Sequence, residues 1–220
     1  MTPERFQRLR EILDRRQPDL TVLMEHVHKG HNFAAVLRSC DAVGCLEAHA
    51  VLLHGRMPSR RRMSSAGSLR WMQLRPHVDI VAGARALHDR GFQILAAHLS
   101  ERARDFRDID YTRPTAILLG QEKDGVTPEA LEVADGEVII PMVGMVTSLN
   151  VSVAAALILF EAERQRKAAG FYDHVRLDPE TYRRTLFEWA YPREADICRR
   201  RGLPYPKLDE DGEILGPLPR

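Results

Sequence analysis

Residues 115–157 read TAILLGQEKDGVTPEALEVADGEVIIPMVGMVTSLNVSVAAAL and decide the fold of this chain. Two apolar runs in this stretch, 115–119 and 137–140, have the length of buried strands, and each leads through a glycine-containing loop into a helical pattern. Strand, loop and helix in this order predict parallel strands with helices on both faces of the sheet. Both loops then lie at the carboxyl edge of the sheet, where α/β proteins bind their ligands.

The rest of the chain extends this alternation and adds helices at both ends. The predicted strands are 20–26, 49–53, 71–74, 93–99, 115–119 and 137–140, and the predicted helices are 3–16, 32–43, 79–90, 127–134, 150–169, 178–190 and 192–201. No strand pattern follows Gly170. We predict an α/β fold with a mostly parallel sheet and helices on both faces over 20–169, a helical extension at 1–19, and a second helical extension with a tail at 170–220.

The composition is that of an ordinary soluble globular protein, with 44% hydrophobic and 29% charged residues among 220. A formal net charge of +1 argues by itself against a nucleic-acid partner. No apolar run reaches the roughly 20 residues of a membrane span, and the N-terminus lacks a signal-peptide pattern. Three cysteines without CxxC spacing make a disulfide framework improbable. These features favour a reducing, cytoplasmic location.

The near-zero net charge conceals one strongly basic segment. Residues 48–78 contain six arginines and three histidines but no acidic residue, which is typical of a phosphate-binding surface. A second basic cluster ends the predicted helix 150–169, where cations also interact favourably with the helix dipole. Arginine-rich codon usage explains the choice of arginine over lysine, but not the missing acids. The candidate RNA-binding residues are His31, Arg56, Arg60, Arg61, Arg62, Arg164 and Arg166.

The predicted helix 32–43 carries one cation, Arg38, among small and apolar residues. A buried guanidinium there requires an anionic partner, which is either a ligand or one of the carboxylates Asp41 and Asp135. Asn32 lies six residues earlier, about 240° around the helix, so it does not share the face of Arg38. It is either the N-cap of this helix or a separate contact.

The common nucleotide-binding motifs are absent from the sequence. Neither a GxGxxG fingerprint after the first strand nor a Walker A sequence is present, which argues against a dinucleotide-dependent oxidoreductase. His26, His28 and His31 form an HxHxxH pattern, but no cysteine or carboxylate completes a metal site at a familiar spacing. We expect no metal and ordinary loop histidines, one of which contacts substrate.

The two late loops are therefore the best candidates for a ligand site. Each also has a structural explanation, because Gly120 and Gly125 permit tight turns and Ser148 or Asn150 caps the following helix. The second loop is nearly all apolar from 143 to 146, which is unusual for an exposed loop. A methionine-rich loop that contains glycine suits an adenine or thioether ligand.

Three segments resemble the motifs of a known enzyme family, the SpoU/TrmH branch of the SPOUT RNA 2′-O-methyltransferases. They are NFAAVLRSCDAVG at 32–44, ILLGQEKDGV at 117–126 and IIPMVGMVTSLNVSVAAALILFE at 139–161. The resemblance covers the catalytic domain over 20–169. The flanking helices are most similar to those of bacterial members that act on guanosine-18 in the D-loop of tRNA.

The resemblance implies a trefoil knot in the C-terminal half of the sheet, a homodimer formed through the knots, and methyl transfer from S-adenosylmethionine to a ribose 2′-OH of tRNA. The implied catalytic residues are Arg38, Asn32, Glu122, Ser148 and Asn150. The implied cofactor contacts, chiefly through backbone groups, are Ala97, Gly120, Ile140, Met145 and Leu149. Ala97 stands where some members of the family carry a threonine, so no hydroxyl contact is expected there.

Two alternatives to a tRNA methyltransferase stay open within this resemblance. An enzyme that acts on ribosomal RNA has the same motifs, although the short N-terminal extension argues against it. A protein that binds RNA without catalysis keeps the fold but has no need of Arg38, Glu122, Ser148 and Asn150.

Overall fold

A computed structural model describes residues 1–52, 70–121 and 125–216 of the chain. These residues divide into two compact units, 17–171 and 1–16 together with the chain from Tyr172 onward. Five candidate site residues lie outside the described residues, namely Arg56, Arg60, Arg61, Arg62 and Glu122.

The larger unit contains a parallel sheet, as predicted. Its seven described strands are β1 Leu20–Glu25, β2 Glu47–Val51, β3 Gln73–His77, β4 Gln93–Ala97, β5 Arg104–Asp105, β6 Thr115–Leu119 and β7 Gly136–Ile139. They are ordered β3-β2-β1-β6-β4-β7-β5, and every pairing is parallel. β5 was not predicted because two residues are too few to show a periodicity.

Four described helices of the larger unit cover both faces of this sheet. In chain order the described α-helices are α1 Pro3–Leu13, α2 Gly30–Ala42, α3 Ile80–His88, α4 Pro128–Glu132, α5 Val151–Ala168, α6 Pro179–Ala190 and α7 Pro192–Arg201. One hydrophobic core lies beneath α2 and α5, where Phe33 and Leu159 are buried. The other lies beneath α3 and α4 and includes Leu87 and Ala130. None of the described helices combines the length and apolar character needed to cross a membrane.

Two element boundaries differ from the prediction in a way that matters for the site. β2 begins at Glu47 because its pairing with β3 runs from Glu47 opposite Gln73, although its first residues are polar. α2 begins at Gly30, with Lys29 as an N-cap that makes no side-chain cap bond. Asn32 therefore lies inside the first turn of α2, and its possible role as the N-cap is ruled out.

The smaller unit contains α1, α6, α7 and a short antiparallel pair, β8 Lys207–Leu208 with β9 Ile214–Leu215. The prediction of no strand after Gly170 was wrong, because two-residue strands carry no readable alternation. The intervening turn is fixed by Asp209, whose carboxylate accepts hydrogen bonds from two backbone amides of the turn. Gly212 takes a φ of 85°, which favours glycine.

Candidate functional site

The carboxyl edge of the sheet brings together motif residues that are far apart in the sequence. Asn150 caps α5, since its Oδ1 accepts from the backbone N–H of Ser152 at 2.8 Å. Its Nδ2 donates to Oδ1 of Asn32 at 3.3 Å, across 118 residues of sequence. Asn32 is 2% exposed in the first turn of α2. A side-chain contact therefore links the start of α2 to the start of α5 at the point where both helices leave the sheet.

Arg38 lies on α2 and is exposed, so the prediction that its guanidinium is buried was wrong. No hydrogen bond or ion pair joins it to the described part of the chain. Asp135, one of the two carboxylates considered as its partner, instead accepts hydrogen bonds from His88 at 3.0 Å and from the backbone N–H of Ile94 at 2.7 Å. None of the guanidinium donors is used by the residues that the structure describes, which leaves them available to an anion as far as those residues are concerned.

A hollow of about 370 Å³ opens beside the loop 140–150, at the carboxyl ends of β4 and β7. Of the predicted cofactor residues, Ala97, Ile140 and Leu149 line it. Met145 does not line it, since its side chain is 99% exposed. Ser148 also lines the hollow, which is mainly apolar and bordered by backbone that belongs to no helix or strand. Its volume is within the ~300–1,000 Å³ range of small-molecule sites.

Gly120 directly follows β6, at a point where Gln121 and Gly125 bring the chain back on itself. Gln121 and Gly125 exchange two backbone hydrogen bonds of 2.8 and 3.0 Å. A Cβ atom at position 120 would lie 2.2 Å from the carbonyl carbon of Gly125, so a larger residue does not fit without displacing the turn. Gly125 itself has a φ of 69°. Both glycines are therefore required by the geometry of this chain reversal, whose described residues, 120–121 and 125–127, we call the 120–127 turn.

This turn is adjacent to the hollow. The pairing of β4 with β6 sets Ala96 opposite Leu118. Continuing the same register places Gly120 level with His98, which lines the hollow. The backbone of Gly120 thus lies at the same edge and level as the hollow.

The other histidines and cations of the prediction are distributed differently. His31 is exposed in the first turn of α2. Arg164 is exposed, but Glu161 holds it through two hydrogen bonds of 2.9 and 2.7 Å. His28 hydrogen-bonds through Nδ1 to the carbonyl of His26 at 3.2 Å. Within the described residues, no group of three or more His, Cys, Asp or Glu side chains is arranged to hold a metal ion.

Arg166 was wrongly predicted to contact RNA. Its side chain is 0% exposed, and Nη1 lies 2.6 Å from Oδ1 of Asp19. The guanidinium also donates to the backbone carbonyls of Asp19, Tyr111 and Arg113. These partners precede β1 and β6, at the amino edge of the sheet, so Arg166 joins α5 to the strands and no phosphate can reach it.

Two buried carboxylates were missed by the sequence reasoning. Glu25, at the end of β1, accepts two hydrogen bonds from Thr127. Glu47, at the start of β2, accepts from His49, Arg75 and Arg90. The sequence signal that could have found them is an acidic residue within a strand pattern. A carboxylate in a strand that is buried on both faces needs hydrogen-bond or ionic partners.

The described surface also carries an apolar patch that we call the α5 patch. Its members are Val143, Met145 and Val146 of the loop 140–150 and Val153, Leu157 and Phe160 of α5, each at least 42% exposed. The three helical positions share one face because they are spaced by four and three residues. Such a patch is typical of a protein interface.

Residues 19–160 match the model of the SpoU rRNA Methylase family, and residues 164–217 match that of the SpoU rRNA methylase C-terminal region. The chain belongs to the SpoU methylase family. This SpoU methylase is 55% identical over 218 residues to the tRNA (guanosine(18)-2'-O)-methyltransferase of Escherichia coli K12, an alignment that covers 97% of this chain and 94% of the relative.

Solved structures of the family share the fold. The Aquifex aeolicus TrmH/SpoU tRNA modifying enzyme superposes with a TM-score of 0.79 at 41% identity, over 86% of this chain and 96% of that one. The SpoU methyltransferase AviRb of Streptomyces viridochromogenes, solved in complex with AdoMet, has a TM-score of 0.61 at 26% identity, over 70% of this SpoU methylase and 59% of the other chain.

Proposed function

We propose that this SpoU methylase transfers a methyl group from S-adenosylmethionine to the ribose 2′-OH of guanosine-18 in tRNA. One structural observation carries the proposal: Asn150 contacts Asn32 at the start of α2, the helix on which the guanidinium of Arg38 has no partner among the described residues. The similarity of nearly the whole chain to an enzyme named for guanosine-18 supports the choice of substrate.

The hollow at the carboxyl edge fits the cofactor. Its apolar lining by Ala97, Ile140 and Leu149 suits an adenine ring or a thioether, and the irregular backbone of 140–150 offers free N–H and C=O groups for polar contacts. Gly120 adds backbone at the adjacent strand end. When bound, S-adenosylmethionine supplies an activated methyl group on a sulfonium.

The remaining task of the protein is to hold the ribose and to favour loss of the hydroxyl proton. Arg38 is a poor general base because a guanidinium has a pKa above about 12. We propose that it binds the phosphate next to the reacting ribose and stabilises the alkoxide that develops as the proton leaves to phosphate or water. Asn32 and Asn150 hold the starts of α2 and α5 together, and Ser148 lines the hollow. We retain for Glu122 the catalytic role that the resemblance implies.

The tRNA is bound by the basic surface of the protein. We assign phosphate contacts to His31, to the arginines of 56–62 and to Arg164, with the last weakened by its pairing to Glu161. Replacing Arg60, Arg61 and Arg62 together by glutamine lowers the slope of log affinity against log salt by about one for each lost phosphate contact. Binding measured between low and high salt checks this, and an unchanged slope removes these residues from the interface.

The homodimer and the knot are part of the same proposal. The α5 patch leaves Phe160 51% exposed, and a second copy of the chain is the partner that the resemblance implies. The order β6-β4-β7 is compatible with a trefoil knot. We also propose that the protein acts in the cytoplasm. Phe160→Glu, analysed by sedimentation equilibrium, tests the interface: a variant that stays dimeric contradicts it.

The decisive experiment uses unmodified tRNA, ribosomal RNA and radiolabelled S-adenosylmethionine. We expect label in the tRNA at guanosine-18, no label when that nucleotide is 2′-deoxyguanosine, and a large loss with Arg38→Ala. Label in ribosomal RNA alone supports the alternative that the enzyme methylates ribosomal RNA. Tight binding of tRNA without label in either RNA supports an RNA-binding protein without catalysis.

A further inference from the structure

We propose that Glu25 is a positioning residue that holds the 120–127 turn, and with it the backbone of Gly120, in register with the cofactor hollow. The inference rests on the proposed function, because it concerns the same cofactor site. It adds a residue that lies outside the three motif segments, on the strand that precedes the first of them.

The contact itself is a buried carboxylate that binds one residue through both oxygens. Glu25 is 2% exposed. Its Oε2 accepts from the backbone N–H of Thr127 at 3.0 Å, and its Oε1 accepts from the Thr127 hydroxyl at 2.6 Å, across 102 residues of sequence. Among the described residues, no cation forms an ion pair with Glu25. The two charge-assisted bonds to Thr127 are therefore the compensation that the structure provides for burying this charge.

The backbone at Glu25 is fixed on both sides. Before it, Met24 pairs with Leu119 of β6, the residue that precedes Gly120. After it, His26 takes a φ of 52°, unusual for a residue other than glycine, while its N–H donates to the carbonyl of Val51 at 3.1 Å. Such a conformation is strained and persists only where the surrounding structure determines it. Glu25 is thus a rigid anchor relative to the end of β6.

The 120–127 turn has two ends that need fixing. The first end is fixed by β6 and by the close approach of Gly120 to Gly125. The second end is Thr127, the N-cap of α4, whose hydroxyl also accepts from the N–H of Ala130 at 3.2 Å. Glu25 lies on β1, the strand next to β6, and binds this second end. Both ends of the turn are therefore anchored to neighbouring strands.

A neutral amide cannot replace the carboxylate without loss. In Glu25→Gln the amide oxygen must face the N–H of Thr127, since a backbone donor cannot reverse its role. The amide NH₂ then donates to the Thr127 hydroxyl oxygen, and the hydroxyl proton loses its carboxylate acceptor. The charge-assisted hydrogen bond of the Thr127 hydroxyl is thus lost and replaced by a weaker neutral one, which loosens the second end of the turn.

The test measures binding of S-adenosylmethionine without RNA by calorimetry, together with hydrogen exchange at the Thr127 amide. The variants are Glu25→Gln and Thr127→Val, with Thr127→Ser to restore the hydroxyl. The matched control is Thr21→Val, which removes another buried hydroxyl bond from β1, to the carbonyl of Glu47 at 2.9 Å, away from the turn. A thermal melt of each variant measures the general loss of stability.

We expect Glu25→Gln and Thr127→Val to bind S-adenosylmethionine about ten-fold more weakly, as the loss of one buried hydrogen bond predicts. Thr127 amide exchange becomes faster in Glu25→Gln, while Thr127→Ser and Thr21→Val bind the cofactor within about two-fold of the wild type. Equal cofactor affinity in Glu25→Gln and Thr21→Val overturns the inference alone. A wild-type protein that binds no S-adenosylmethionine overturns the proposed function and this inference with it.

Discussion

Two arginines on helices of the same unit make opposite use of their guanidinium groups. On α2, Arg38 is exposed and has no partner in the described chain. At the amino edge, Arg166 is fully buried and donates to Asp19 and to three backbone carbonyls. A guanidinium whose donors are all used stabilises the fold, whereas one with free donors is available for a ligand. Residue type alone does not separate these two roles.

The largest expected effect is at the amino edge. Arg166→Met leaves the Asp19 carboxylate and three carbonyls without their donor, so the free energy of unfolding falls by about 3–5 kcal/mol. Urea denaturation measures this loss. Arg164→Met on the same helix is the control, because its exposed pair with Glu161 is worth about 0.2–1 kcal/mol. Similar losses of unfolding free energy in the two variants would contradict the view that a buried arginine with all donors used stabilises the fold more than an exposed one.

Glu47 gives a second test of the amino edge through pH. Burial alone would raise the pKa of Glu47, but hydrogen bonds from His49, Arg90 and Arg75 lower it to about 2. Since the pKa is below its ordinary value of 4.5, the stabilisation is complete above pH 4.5 and is lost as the pH falls towards 2. We expect wild-type stability to fall by roughly 3 kcal/mol more than that of Glu47→Gln over this range. Acid titrations followed by circular dichroism measure this. The same pH dependence of stability in the two proteins would contradict the prediction.

Arg38→Ala should reduce kcat for tRNA methylation by about 100-fold, or ~2.7 kcal/mol, because phosphate binding and alkoxide stabilisation are lost. The melting temperature should not change, since the described fold makes no use of this guanidinium. Arg38→Lys keeps the charge but not the two-pronged geometry and should be intermediate. Arg85→Ala, an exposed arginine of α3, is the control for a general charge effect. Full turnover by Arg38→Lys would exclude bidentate positioning.

The smallest effect tests the link between the two helices. Asn150→Asp keeps an N-cap oxygen for Ser152 but replaces the amide that donates to Asn32. We expect stability to change by less than about 0.5 kcal/mol while kcat falls about ten-fold. Asn150→Ala, which also removes the cap, should cost about 1 kcal/mol of stability in addition. Unchanged turnover in Asn150→Asp would leave this contact as a purely structural link.

Periodicity predicted the architecture well because the strands of a parallel sheet are apolar on both faces. Thr115–Leu119 was predicted with its observed bounds, and α5 within one residue at each end. β2 was placed two residues late because it begins with a buried carboxylate, Glu47, where the apolar pattern does not yet show a strand. The tail hairpin was missed because its pairing depends on a turn at Asp209 rather than on an apolar pattern.

By itself, the sequence determined the fold class and the motif residues that mark the family, and it predicted the two late loops as the ligand edge. These follow from local spacing, which one segment carries without reference to another. Only the tertiary structure decided that Asn150 reaches Asn32, that Glu25 reaches Thr127, and that Arg166 is buried while Arg38 is exposed and unpartnered among the described residues. The physical reason is that these hydrogen bonds join residues more than 100 positions apart in the sequence. No local pattern encodes such a contact, or the burial that goes with it.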